Sequence, residues 1–251
     1  MGRKRKRERR PPAVIPSSSP SSPTRKKTRS GSERYSSSHL LLLVGEGDFS
    51  FSLSLANTFG SATNIVATSK DSQVDVQAKY GMAKRNLDAL KTMGALIFHD
   101  VDAITMDHHT VLRFFRFDRI IFNFPHAGFM VSIQNFSPFL SSLHRQLVLG
   151  FFRTAANMIK PHGEIHVSHK TGEPYDKWKL EELAAKCSLR LIECSQFRSS
   201  DYPGYANKRG AGKSPDLAFR LGSCCTFKFK FYDARQELDR LRKSLVPRNG
   251  V

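Results

Sequence analysis

The 251-residue chain is 39% hydrophobic and includes 19 Phe, enough apolar material for a packed core, so it is not a wholly disordered polypeptide. Its formal net charge of +18 fits either a polyanionic partner such as RNA or a lysine-rich surface that serves solubility. No run approaches the roughly 18 apolar residues that cross a bilayer, and the charged start lacks the apolar stretch of a secretory signal, so no membrane partner is expected.

Residues 1–38 read as a disordered, Ser/Pro-rich basic tail: RKRKRERR, then PSSSPSSP, then RKKTR. They hold 12 Lys/Arg against Glu8 and Glu33, a net +10, and too little apolar surface to offset chain entropy. Two basic clusters across a Pro/Ser spacer have the pattern of a bipartite nuclear localisation signal, a segment that the nuclear import machinery would read. A non-specific RNA-binding arm fits the same charge. Phosphorylation at the Ser-Pro steps would weaken either role.

An ordered domain is expected over 39–233, followed by a C-terminal helix and tail over 234–251. HLLLLVG (39–45) is continuously apolar, as in a strand buried on both faces. FSFSLSLANTFG (49–60) reads as a helix and NIVATS (64–69) as the second strand. Residues 72–93 read as helical with a break at Gly81, and ALIFHD (95–100) as the third strand. A short helix near 107–115 precedes FDRIIFNF (117–124), the fourth strand. A long helix over 137–159 stops at Lys160, Pro161 and Gly163. GEIHVSH (163–169) is the fifth strand and YDKWKLEELAAKC (175–187) a helix. LRLIECSQF (189–197) and CCTFKFKFY (224–232) are the last two strands, the latter alternating Phe227, Phe229 and Phe231 with Lys228 and Lys230. This alternation predicts an α/β, Rossmann-like, doubly wound and mostly parallel sheet. Seven strands with a terminal antiparallel pair would be the class I methyltransferase variant of it.

Gly45-Glu46-Gly47-Asp48-Phe49-Ser50 follows the first strand. A glycine-rich turn there lets the backbone approach a ligand and aims helix amides at it. Ser50 replaces the third glycine of a dinucleotide pattern and is placed to cap the helix. Glu46 and Asp48 would repel a pyrophosphate but suit a sulfonium and an ammonium, which favours S-adenosylmethionine over NAD or FAD. Asp71 lies just past the second strand, where an acid can hold ribose hydroxyls. Asp100 and Asp102 end the third strand, beside the expected adenine site. At the end of the fourth strand, Asn123-Phe124-Pro125-His126-Ala127-Gly128 stands where open α/β sheets bind ligands. Phe124 offers a ring to stack a base, Pro125 stiffens the turn, and Asn123 can donate to a base edge.

A late loop, Asp201 to Gly210, mixes aromatics with cations. Tyr202 and Tyr205 are candidates for base stacking, and Lys208, Arg209 and Lys213 for phosphate contacts, on a loop whose glycines suit a mobile lid. Trp178, the one Trp, reads as core rather than site. Cys187, Cys194, Cys224 and Cys225 form no C-x-x-C pair and read as buried, reduced thiols. His108 and His109 lack partners at metal-ligand spacing, so no metal site is expected.

VGEGDFSFS (44–52), ATSKDS (67–72), HDVDA (99–103), FDRIIFNFPHAG (117–128), EPYDKW (173–178) and YPGYANKRG (202–210), with the CCTFKF ending, together resemble the eukaryotic large-subunit (25S) ribosomal RNA uridine-N3 methyltransferase-like family. The resemblance spans roughly residues 39–232 in order. It implies a Rossmann-like fold, S-adenosylmethionine as methyl donor, ribosomal RNA or a pre-ribosome as partner, and a nuclear, nucleolar setting, with the cytoplasm as the alternative. Gly45, Gly47, Asp71 and Asp102 carry over as cofactor positions; Asn123, Pro125 and His126 carry over as acceptor-site positions. His126 is then the candidate base for the N3 proton and Asn123 the donor to a uracil carbonyl. The competing reading is a catalytically inactive RNA-binding or ribosome-assembly scaffold that retains the fold. Nothing in the sequence suggests a dimer seam, so a monomer is expected.

Overall fold

The computed structural model describes residues 34–128 and 138–232, with the backbone alone for 138–140. The basic tail up to residue 33 and the expected C-terminal helix beyond 232 lie outside the described residues. Seven strands form one sheet: β1 Leu41–Val44, β2 Ile65–Thr68, β3 Leu96–Phe98, β4 Phe117–Asn123, β5 Ile159–Lys170, β6 Leu189–Gln196 and β7 Cys224–Phe231. Their order is β3-β2-β1-β4-β5-β7-β6. All neighbours are parallel except β7, which runs antiparallel to both β5 and β6.

The unbroken apolar run of β1 follows from this position. As an inner strand with both faces covered, it sends Leu41 and Leu43 into one core and Leu42 and Val44 into the other. One core packs against α1 (Ser50–Phe59), α2 (Gln73–Lys79) and α3 (Ala83–Thr92) through Leu55, Val76 and Leu87. The other packs against α4 (Pro138–Met158) and α5 (Leu180–Ala185) through Phe151, Phe152 and Leu183. Strand order reverses between β1 and β4, which opens a crevice at their carboxyl ends.

The secondary structure and packing depart from the sequence reading in several places. The helix expected near 107–115 is two 3₁₀ turns, Met106–His108 and Leu112–Phe114. His109 Nδ1 accepts from the amides of Val111 and Leu112, a local side-chain bond that displaces a helical ladder. The helix expected over 175–187 is a 3₁₀ turn, Tyr175–Trp178, and the short α5, separated by Lys179 at φ 54°. On β7, the Phe/Lys alternation does not divide buried from exposed: Lys228 is buried, its ammonium pairing with Glu193 on β6 at 2.9 Å. Cys194 is exposed, unlike buried Cys224.

Residues 34–38, placed in the tail by composition, belong to the folded domain. Tyr35 is buried, packs edge-on to Phe51, and its hydroxyl lies 3.1 Å from His166 Nδ1 on β5. His166 Nε2 in turn lies 2.8 Å from Glu164. One aromatic side chain thus anchors a polar segment that hydropathy alone assigns to solvent. Tyr35→Ala is expected to lower unfolding stability by about 3 kcal/mol, whereas Tyr35→Phe should cost about 1 kcal/mol. Urea denaturation measures both; an unmoved midpoint for Tyr35→Ala would remove the segment from the core.

Candidate active site

Two adjoining cavities open at the carboxyl edge of the sheet. The first, about 560 Å³, lies over the ends of β1, β2 and β4. Gly45, Glu46, Gly47, Asp48, Asp71, Asp102 and Asn123 line it, as the sequence suggested. The second, about 490 Å³, is walled by Phe124, Pro125, His126, Tyr175, Trp178 and Phe219. The cavities share Phe124 and His126, so the acceptor motif stands at their junction.

The glycine turn is built by packing as much as by ligand access. Gly45 has φ +68°, and a Cβ there would come within 2.6 Å of the Phe122 ring. The two acids serve the start of α1 as well as the cavity. Asp48 Oδ1 accepts from Ser50 N at 3.0 Å, and Glu46 Oε2 accepts from Ser52 N at 3.2 Å and Ser52 Oγ at 2.9 Å. Ser50 is not the helix cap; that position is Phe49 at φ 60°, with no side-chain cap bond. The Ser50 hydroxyl instead accepts from Ala206 N at 3.0 Å, tying the late loop to the turn.

The strand-end acids divide. Asp71 pairs with Lys79 at 2.6 Å and Asp102 with Lys70 at 2.9 Å, both on the cavity wall. The Lys70 bond and the Ile104 amide offset the burial penalty on Asp102 and hold its carboxyl below the usual range. Asp100 does not join them. It adopts φ 58°, its side chain is exposed, and it is not part of the cavity wall.

The late loop departs furthest from expectation. Tyr202 is buried, stacked on Phe197 at 5.4 Å and against Phe51 at 4.7 Å, and cannot stack a base. Tyr205 packs edge-on to Phe51 and faces the first cavity. Lys208 is neutralised by Asp216 at 2.6 Å and lies 3.7 Å from Asp48, so it bridges loop and turn rather than presenting a phosphate contact. Arg209 is exposed and lines both cavities, and Lys213 lines the second.

At the junction, Asn123 Oδ1 accepts from Ser168 Oγ at 2.7 Å, while its buried Nδ2 has no hydrogen-bond partner. A buried amide donor without a partner fits a ligand carbonyl. His126 Nδ1 accepts from Gly128 N at 3.1 Å, so the neutral ring carries its proton on Nε2. Burial, then the neighbours His144 and Lys170, push its pKa down to about 4. The neutral ring therefore presents its Nε2–H as a hydrogen-bond donor. His144 Nδ1 accepts from Ala127 N at 3.0 Å and its ring stacks on Trp178 at 4.3 Å, which fixes the acceptor loop. Trp178 is buried, as its type suggested, yet also walls the second cavity. Sequence reasoning missed Lys70, Lys79, Tyr80, His144, Lys170 and Phe219. Of these, only Lys70 and Lys79 carried a signal, as cations flanking Asp71. Among the described residues, no cluster of three metal-ligating side chains forms, and no helix is long and apolar enough to cross a membrane.

The strand order, the glycine turn and the crevice beneath it define a Rossmann-like domain of the class I methyltransferase type. A family model described as "BMT5-like: rRNA (uridine-N3-)-methyltransferase BTM5-like" matches residues 42–209, and the chain belongs to that family. It is 53% identical over 206 residues to heavy metal-associated isoprenylated plant protein 41 of Arabidopsis thaliana, covering 82% of this chain and 40% of that protein. An uncharacterized Arabidopsis thaliana protein is 46% identical over 196 residues, 78% of this chain and 94% of its own length. The 25S rRNA (uridine(2634)-N(3))-methyltransferase of Saccharomyces cerevisiae is 25% identical over 222 residues, 67% of this chain and 65% of that enzyme. The chain therefore spans less than half of the first relative.

Glu46 gives this site a pH signature. Burial raises its carboxyl to about 7, against its bonds to Ser52. A folded-state value above the unfolded one makes the ionised form destabilising. Stability should fall as pH rises from about 4.5 to about 7 and level off above, by about 3 kcal/mol in all. Glu46→Gln should flatten that fall. Thermal melts across pH 5–8 measure it; a parallel fall in both proteins would assign it elsewhere.

Proposed function

We propose that the chain is an S-adenosylmethionine-dependent methyltransferase acting on ribosomal RNA, at N3 of a uridine in the large subunit. The single observation that carries this reading is the junction: the unpartnered Asn123 amide and the His126 ring stand between a carboxylate-lined cavity and an aromatic one. Family membership and the yeast relative support the RNA substrate.

S-adenosylmethionine, when bound, supplies an electrophilic methyl group on a positively charged sulfur. The chain's residues do the rest by alignment, dehydration and charge. Gly45 and Gly47 leave room for the donor, and the carboxylates of Glu46 and Asp48 suit its positive groups. Asp71 and Asp102 are acceptors for the ribose hydroxyls and the adenine amine. Asn123 Nδ2 and His126 Nε2 donate to the uracil carbonyls, where charge accumulates as N3 loses its proton. Phe124 and Pro125 set the plane and stiffness of the turn. Arg209 and Lys213 approach the RNA backbone.

The basic tail suits nuclear import, and the substrate suits the nucleolus and the pre-ribosome. A monomer is adequate, since the residues of both cavities come from one chain.

The test is incubation of the full chain with S-adenosylmethionine and large-subunit rRNA, followed by nucleoside mass spectrometry. N3-methyluridine is the expected product. Asn123→Ala should lower kcat by roughly 100-fold with little change in donor affinity. Donor binding without any methylated nucleoside would favour the scaffold reading.

A further inference from the structure

The second cavity contains a cation that the site has not yet used. Lys170 is the last residue of β5 and is half-buried. Its ammonium lies 5.2 Å from the Tyr175 ring centre and 5.3 Å from that of Phe219, with Nζ 3.4 Å from the Tyr175 hydroxyl. Among the described residues it pairs with no carboxylate. Asp176, on the turn that follows, accepts from Gly172 N at 3.0 Å.

We propose that this cavity is the pocket for the acceptor base, and that Lys170 holds the base there as its N3 anion. The inference rests on the uridine reading and deepens it. A uracil imide is neutral and its N3 lone pair is delocalised into two carbonyls. The N3–H proton must leave, here to water at the cavity mouth. The freed N3 pair then bonds the methyl carbon, and the carbon–sulfur pair returns to sulfur. Loss of that proton places negative charge on N3, O2 and O4, so a nearby fixed cation lowers its cost in an aromatic pocket.

The groups facing Lys170 single it out for this task. His126 comes from the β4 loop, His144 from α4, His169 from its own strand and Tyr175 from the following turn. Cys224 lies across on β7. The three histidines are held down to about 4, first by burial, and are neutral near pH 7. Of the late-loop cations, Lys208 is already paired with Asp216, and Arg209 is exposed, which suits a phosphate. Lys170 is the cation that sits among the rings. The ionised imide offers O2 and O4 to Asn123 Nδ2 and His126 Nε2, while Lys170 Nζ supplies a fixed positive charge beside the ring and leaves the N3 pair free for the methyl carbon. Cytosine would present its amino group to that same donor set, an unfavourable pairing.

The experiment compares the full chain with Lys170→Met and Lys170→Arg on large-subunit rRNA transcribed with either uridine or 5-fluorouridine, whose fluorine makes N3 more acidic. Lys170→Met should lower kcat on uridine RNA by roughly 100-fold at pH 7, leave donor affinity unchanged, and move the acid limb of the pH–rate curve upward. The 5-fluorouridine RNA should recover at least about tenfold of that loss, and Lys170→Arg should keep the wild-type pH profile. Activity of Lys170→Met within about twofold of wild type overturns the inference, as does an equal loss on both RNAs with an unmoved limb. A wild-type chain that methylates neither RNA overturns the parent reading as well, so the two failures are distinguishable.

Discussion

The site depends on one constraint, the reversal of strand order between β1 and β4. Helices leave β1 and β4 toward opposite faces, so their carboxyl ends cannot be covered by one connection. The glycine turn after β1 and the acceptor motif after β4 are therefore brought side by side, though 78 positions separate Gly45 from Asn123. Every proposed role follows from that meeting.

The late loop shows how the fold completes the crevice. Residues from Tyr202 onward close over the turn through ring packing of Tyr202 and Tyr205, the Ser50–Ala206 bond and the Lys208 bridge between Asp48 and Asp216. Its aromatics belong to the core and its first lysine to an ion-pair network. Composition suggested base-stacking aromatics and phosphate-holding cations on a mobile lid; packing makes most of this loop a wall, with Arg209 and Lys213 left to face outward.

The two cavities differ in charge, in keeping with the two ligands proposed. The first gathers carboxylates from three strand ends, balanced by Lys70, Lys79, Lys208 and Arg209. The second has cations and neutral histidines among rings. A positively charged donor would meet individual carboxylates in the first, and an acceptor that must become negative would meet a cationic lining in the second.

The sequence by itself determined the succession of strands, the sheet's apolar inner strands and the placing of Gly45, Gly47, Asp71, Asp102 and Asn123 at strand ends, because those signals are local: periodicity, turn chemistry and residues at strand ends. It could not separate Asp100 from Asp102, since one left-handed residue turns a side chain outward and no nearby pattern reports it. Nor could it find Tyr35's anchorage, the His144 clamp on the acceptor loop or the place of Lys170. The first two rest on contacts between segments from 17 to 131 positions apart and the third on Phe219 as well as its near neighbour Tyr175, and only the finished tertiary packing brings such partners within reach.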